Sequence, residues 1–122
     1  AEVQKACRES GQKVPVGIAE VASVIYNSLA KCYEETIEEI EEMSGIIYGS
    51  IHVVGGGANA AYLNELTAKT TGKTVYAGPT EATAIGNLTA QMIAAGELSD
   101  LQAARKCIFD SFEVKTFQVE RP

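Results

Sequence analysis

The stretch Ser50-Ile51-His52-Val53-Val54-Gly55-Gly56-Gly57-Ala58-Asn59 decides the fold expected for this chain. Its first half is apolar and β-branched, which predicts a buried strand over 50–54 with His52 packed in the core. Glycine has no Cβ, so three glycines in succession leave backbone N–H groups open to a ligand. A helix is predicted over 58–70, and its positive end would favour a phosphate or another polar group. The stretch therefore predicts a strand, a glycine turn and a helix that together can hold a polar ligand.

The flanking segments predict further helices and strands. In chain order these are helices over 16–44, 81–95 and 99–109, a strand over 74–77, and an extended tail over 112–119. The first helix has apolar residues in steps of three and four, a glutamate-rich solvated face, and Gly45 as a left-handed stop. Thr80 and Ser99 are expected to cap the two later helices, with Glu81 in the first turn of the earlier one.

Strands separated by helices predict an α/β fold with a parallel pair and right-handed crossovers. Two strands are too few for a stable sheet, so either the tail adds one or further strands precede the chain. The second is preferred. The first residues include no initiator Met, which indicates that the chain was cut from something longer. A strand edge left open would favour self-association of the chain. The expected organisation is an irregular segment over 1–15, with one short helical turn, and one domain over 16–122.

Composition excludes several classes of protein. The chain has 122 residues, 46% of them hydrophobic, which fits one globular domain and is too apolar for a disordered chain. A formal net charge of −6 without any basic cluster argues against a nucleic-acid partner. No apolar run is long enough for a membrane span, and no secretory signal is evident. Cys7, Cys32 and Cys107 fit no metal or redox spacing, which favours reduced thiols in the cytoplasm and no metal site.

The glycine turn admits more than one function. Gly55-x-Gly57-x-x-Ala60 matches the dinucleotide fingerprint, which requires an acidic residue at the end of the second strand. The nearest acid, Glu81, lies beyond that point. A NAD-type dinucleotide-binding domain and a non-catalytic α/β interaction module therefore remain as alternatives.

Three segments resemble the C-terminal half of the FGGY family of carbohydrate kinases, namely residues 51–59, 63–68 and 77–87. The similarity covers most of residues 5–117, and the segment 77–87 is most similar to members that act on L-rhamnulose. The resemblance implies the C-terminal part of a ribonuclease H-like, actin-like ATPase fold with two lobes. It also implies that ATP, with Mg²⁺, lies between the lobes and donates its γ-phosphoryl group to the 1-hydroxyl of the sugar.

The same resemblance assigns the ATP contacts to four residues of the glycine turn, Gly56, Gly57, Ala58 and Asn59. Ala60 departs from the family pattern, which often has a polar residue there. The catalytic Asp of the family and most sugar contacts lie upstream of the first residue here, and Asp100 and Asp110 match no catalytic motif. The chain by itself is therefore expected to be inactive, since it holds one wall of the cleft.

Overall fold

The structure, a computed structural model, describes residues 1–119 and divides into two compact units, one ending at Ile47 and one beginning at Tyr48. In chain order the elements are α1 (Glu2–Glu9), α2 (Gly17–Ser44), β1 (Ser50–Val53), a 3₁₀ helix (Gly55–Asn59), α3 (Ala61–Thr71), β2 (Thr74–Ala77), α4 (Ala82–Ala94), α5 (Leu101–Ser111) and β3 (Lys115–Phe117). The predicted organisation into 1–15 and 16–122 stays a prediction, and its last three residues lie outside the described part.

The long helix α2 starts one residue later than predicted and ends where predicted. Gly45, with a φ of 68°, terminates it in the left-handed conformation, and its N–H donates to the Glu41 carbonyl oxygen at 2.8 Å. The predicted burial of its apolar face is wrong, because Ile18 is 90% and Met43 88% exposed. In the first unit α2 packs on α1. The helix α1 is about 12 Å long and α2 is about 42 Å long, so α1 can cover less than a third of the length of α2.

The glutamate-rich face of α2 is solvated, as the charge pattern predicts. Most of these side chains are exposed. Lys31 Nζ donates to Glu34 Oε2, and this hydrogen bond raises the pKa of Lys31 above its usual value, with a further contribution from the Glu34 charge. Surface ion pairs of this kind contribute little to the stability of the fold. The glutamate-rich face is therefore a solvent-exposed surface of α2.

The second unit is built on a mixed three-stranded sheet in the order β1-β2-β3. β1 and β2 are parallel, with Ile51 opposite Val75, which confirms the pairing expected from the order of elements. Of the two possible sources of a third strand, the tail provides one, because β3 returns antiparallel to β2 and places Phe117 opposite Val75. Val75, on the central strand, is fully buried.

β1 is half-buried rather than buried. His52 is exposed, and its ring stacks on Tyr76 with 5.0 Å between the ring centroids. Successive residues of a strand point to opposite faces, so His52 and Tyr76 share the face opposite to Ile51 and Val75. That face has less cover, and the predicted core position of His52 is therefore wrong.

α3 begins at Ala61 rather than at residue 58, because the residues before it form the separate 3₁₀ helix. Its buried residues are Leu63, Asn64, Thr67 and Ala68, a stripe with the spacing of one helix face. Leu63 points inward as predicted. Tyr62 lies off this stripe and is 54% exposed, so its predicted inward position is wrong.

The caps of α4 and α5 also differ from the prediction. Glu81 occupies the N-cap of α4 and makes no capping hydrogen bond, and Thr80 bonds elsewhere. Asp100, not Ser99, caps α5, since its Oδ1 accepts a hydrogen bond from the Ala103 N–H at 2.8 Å. Asp and Ser are both favoured at the N-cap of a helix, so the local sequence does not distinguish Asp100 from Ser99 as the cap of α5.

Asp100→Ala is expected to lower the free energy of unfolding by about 1 kcal/mol, because the Ala103 N–H loses its acceptor. Urea denaturation followed by circular dichroism measures this. The matched control is Asp110→Ala in the last turn of α5, where a negative charge opposes the helix dipole and the lost partner is the exposed Lys106. Equal losses in both variants would contradict the capping role.

Candidate functional site

The candidate site is the glycine turn, residues Gly55–Asn59, which follows β1 as a 3₁₀ helix. Gly55 has a φ of 73°, which favours glycine, and its N–H donates to the Pro79 carbonyl oxygen at 3.1 Å. Just before the turn, the Val53 carbonyl oxygen accepts from the Gly78 N–H at 2.8 Å. These two bonds hold the turn against the segment that follows β2.

The middle of the glycine turn is open to solvent. Gly56 and Gly57 are exposed, and a Cβ built on Gly56 would meet no atom within 4 Å. A Cβ built on Gly57 would make an ordinary contact, 3.6 Å from Val53 Cγ1. Gly56 lies in the first turn of the 3₁₀ helix, where a backbone N–H group has no acceptor within the helix. The turn can therefore admit a ligand close to its backbone.

Ala58 and Asn59 have different surroundings. Ala58 is 6% exposed, so its side chain faces the interior. Asn59 is exposed, and its Oδ1 accepts a hydrogen bond from Thr80 Oγ1 at 3.4 Å. Because α3 begins only at Ala61, the positive end of that helix is displaced from the glycines, and the dipole contribution expected at Gly57 is small.

The side chain of Asn64 forms hydrogen bonds with the backbone of the glycine turn, a contact that the sequence did not indicate. It is 2% exposed, and its Nδ2 donates to the Ala58 carbonyl oxygen at 3.1 Å and to the Gly57 carbonyl oxygen at 3.4 Å. The signal available in the sequence was a polar residue beside the inward-facing Leu63. A buried amide at such a position requires hydrogen-bond partners, and the turn supplies them.

Among the cavities in the described part of the second unit, two lie beside β1 or the turn that follows it. The smaller, about 30 Å³, adjoins the turn at Asn59, Thr80 and Lys115 and has room for one water molecule. The larger, about 610 Å³, lies between the exposed sheet face and α5, with Val54 and Arg105 in its lining. No residue of the glycine turn lines the larger one. A nucleotide-sized ligand at the turn would therefore lie over its surface.

Outside the glycine turn, the side chains with reactive or metal-binding chemistry are the cysteines, the histidine and the acidic residues. Cys7 is buried and Cys32 and Cys107 are exposed, all three as free thiols. Within residues 1–119, no three His, Cys, Asp or Glu side chains gather into a metal-binding group. In the same range, no helix combines the length and the apolar character that crossing a membrane requires.

Comparison with known proteins matches residues 3–95 to the FGGY family of carbohydrate kinases, C-terminal domain. Rhamnulokinases are similar over nearly the whole chain. That of Halalkalibacterium halodurans is 48% identical over 95% of it, that of Enterococcus faecalis 49% over 96%, and that of Bacillus subtilis 47% over 95%. The chain spans about a quarter of the length of these relatives.

The matched region includes the glycine turn, Asn64 and Gly78. The small mixed sheet with its crossover helix α3 is consistent with part of the ribonuclease H-like, actin-like ATPase fold of that family. This chain therefore belongs to the FGGY family of carbohydrate kinases, as a C-terminal domain.

Proposed function

We propose that the glycine turn binds the phosphate groups of ATP or ADP through Gly56, Gly57, Ala58 and Asn59. The observation that carries this is the match of the turn to the C-terminal domain of the FGGY kinases, and the exposed backbone at Gly56 leaves room for a ligand there. Ala58 would contribute its backbone, since its side chain is buried. Asn59 would contribute its exposed amide, which already reaches Thr80.

We propose further that the whole protein transfers the γ-phosphoryl group of ATP to the 1-hydroxyl of L-rhamnulose and forms L-rhamnulose 1-phosphate. The similarity to rhamnulokinases over 95% of the chain supports this substrate. Phosphoryl transfer requires positioning from both walls of the cleft, and the chain would supply one of them. The catalytic base and most sugar contacts would lie in the part of the relatives that this chain does not span. The chain by itself would then be inactive.

Mg²⁺ would accompany the nucleotide in the whole enzyme. Within residues 1–119, no three His, Cys, Asp or Glu side chains come together to bind a metal ion, so this part of the chain offers no magnesium site of its own. Mg²⁺ is commonly held by substrate phosphates and one or two carboxylates, so it would be bound mainly through the phosphate groups of the nucleotide.

Titration of the chain with ADP, ATP and NAD distinguishes the possible ligands. In ¹⁵N-edited NMR spectra, we expect ADP and ATP to shift the amide resonances of Gly56 and Gly57, and NAD to leave them unchanged. A stronger response to NAD would favour the dinucleotide-binding domain. If the chain is folded and its amide resonances respond to none of ADP, ATP and NAD, the result would favour a non-catalytic interaction module.

The sugar specificity requires the full-length protein that carries this sequence. A coupled assay of ADP release should show turnover with L-rhamnulose and weaker turnover with related ketoses. The isolated chain should show none. Absence of turnover with every ketose would contradict the proposed kinase activity.

We propose that the chain acts in the cytoplasm, where its three thiols remain reduced, without a nucleic-acid or membrane partner.

In the described part of the chain β1 is an edge of the sheet, and its unpaired backbone groups favour self-association of the isolated chain. Light scattering is expected to show dimers at high protein concentration. A monomer at every concentration would contradict this.

A further inference from the structure

We propose that Asn64 is a positioning residue for nucleotide binding, which holds the backbone of the glycine turn at Gly57 and Ala58 in the shape that the nucleotide meets. The inference rests on the proposed binding of ATP or ADP at the turn. It adds a residue that does not touch the ligand and acts through the backbone of the turn.

The hydrogen bonds of Asn64 connect α3 to the backbone of the glycine turn. The side-chain amide donates to the consecutive carbonyl oxygens of Ala58, at 3.1 Å, and Gly57, at 3.4 Å. Asn64 itself lies in the first turn of α3, where its backbone N–H donates to the Ala60 carbonyl oxygen at 3.0 Å. The residue is 2% exposed, so water cannot easily replace either acceptor.

The two bonds restrain two peptide planes of the turn, those of the Gly57 and Ala58 carbonyls, and the Ala60 N–H also donates to the Gly57 carbonyl oxygen at 3.1 Å. A trans peptide is planar and places its C=O and N–H on opposite edges. Fixing the carbonyls of Gly57 and Ala58 therefore also fixes the N–H groups of Ala58 and Asn59. If either plane rotated, the buried amide of Asn64 would lose an acceptor, which is unfavourable.

The glycines increase the effect of a further restraint on the turn. Three glycines in succession have no side chains that limit their backbone angles, and ordering them upon ligand binding is entropically unfavourable. A turn that is already held by Asn64 avoids part of this loss, so it binds more tightly than a loose turn with the same sequence. Asn64 would therefore contribute to affinity without contacting the nucleotide.

The test compares Asn64→Leu, which keeps the size and loses the donor, with Thr67→Val. Thr67 is the matched control because it is 1% exposed on the same face of α3 and donates only to the Leu63 carbonyl oxygen, at 2.7 Å, within its own helix. Both variants should unfold at a lower temperature than the unmodified chain. ADP affinity, measured by calorimetry where both are folded, should fall about tenfold in Asn64→Leu and stay within about twofold in Thr67→Val.

In the full-length protein, Asn64→Leu should raise KM for ATP and leave KM for L-rhamnulose unchanged. Binding of ADP by Asn64→Leu as tight as that of the unmodified chain would overturn the positioning role. Failure of the unmodified chain to bind ADP would instead contradict the proposed function, so the two failures are distinguishable.

If Asn64→Leu does not fold, hydrogen exchange in the unmodified chain tests the same proposal. The side-chain amide protons of Asn64 should exchange slowly with solvent, compared with those of the exposed Asn87, and more slowly still when ADP is bound. Exchange as fast as that of Asn87, or unaffected by ADP, would overturn the proposal.

Discussion

Gly78→Ala is expected to destabilise the second unit strongly, with a loss of at least about 3 kcal/mol in the free energy of unfolding. A Cβ at this position would lie 2.4 Å from the Glu113 carbonyl oxygen and 3.3 Å from Val114 Cα. Both are backbone atoms, which cannot turn aside as a flexible side chain can. Gly78 also has a φ of 134°, a region that residues with a Cβ rarely adopt.

The strain cannot be relieved locally, because both sides of the contact are anchored. Ala77 pairs with Lys115 across β2 and β3, and the Gly78 N–H donates to the Val53 carbonyl oxygen. Relief would therefore require the separation of β3 from β2. Domains of this size have a total stability of only about 5–15 kcal/mol, so the loss is a large fraction of it.

Thermal and urea denaturation, followed by circular dichroism, measure the effect of Gly78→Ala. The matched control is Gly49→Ala before β1, where a Cβ would meet no atom within 4 Å and φ lies outside the left-handed region. That variant should stay within about 1 kcal/mol of the unmodified chain. If the two variants proved equally stable, the close approach of Gly78 to Glu113 would be wrong.

Gly56→Ala is expected to have the largest effect on nucleotide binding, with ADP affinity reduced at least about tenfold. The new Cβ would occupy the open space over the turn through which the phosphate groups are proposed to approach. The fold should tolerate it, because no atom lies within 4 Å and φ lies outside the left-handed region. Stability should change by no more than about 1 kcal/mol, and alanine can even stabilise by restricting the unfolded chain.

Calorimetry with ADP and an unfolding curve on the same sample separate these two effects. Gly49→Ala again serves as the control, since it adds the same methyl group away from the glycine turn. In the full-length protein, Gly56→Ala should lower kcat/KM for ATP, and Gly49→Ala should not. A folded Gly56→Ala variant with unchanged ADP affinity would show that the nucleotide does not approach the backbone at Gly56.

The extent of sequence-based prediction differs between elements. The bounds of β2, the end of α2 and the parallel pairing of β1 with β2 are confirmed. By contrast, His52 is exposed rather than buried, and Asp100 rather than Ser99 caps α5. The assignment of the ATP contacts to the glycine turn stays a prediction, although the turn is open to solvent.

What the sequence by itself determined is local. Apolar periodicity, β-branched runs and the conformational freedom of Gly45 and Gly55 act over a few residues, so they specify helices, strands and turns directly. The tertiary structure alone decided that β3 returns along β2, that Asn64 reaches the glycine turn, and that Gly78 lies against Glu113. These contacts depend on which faces of distant or successive elements meet when the chain packs, and no local pattern records that choice.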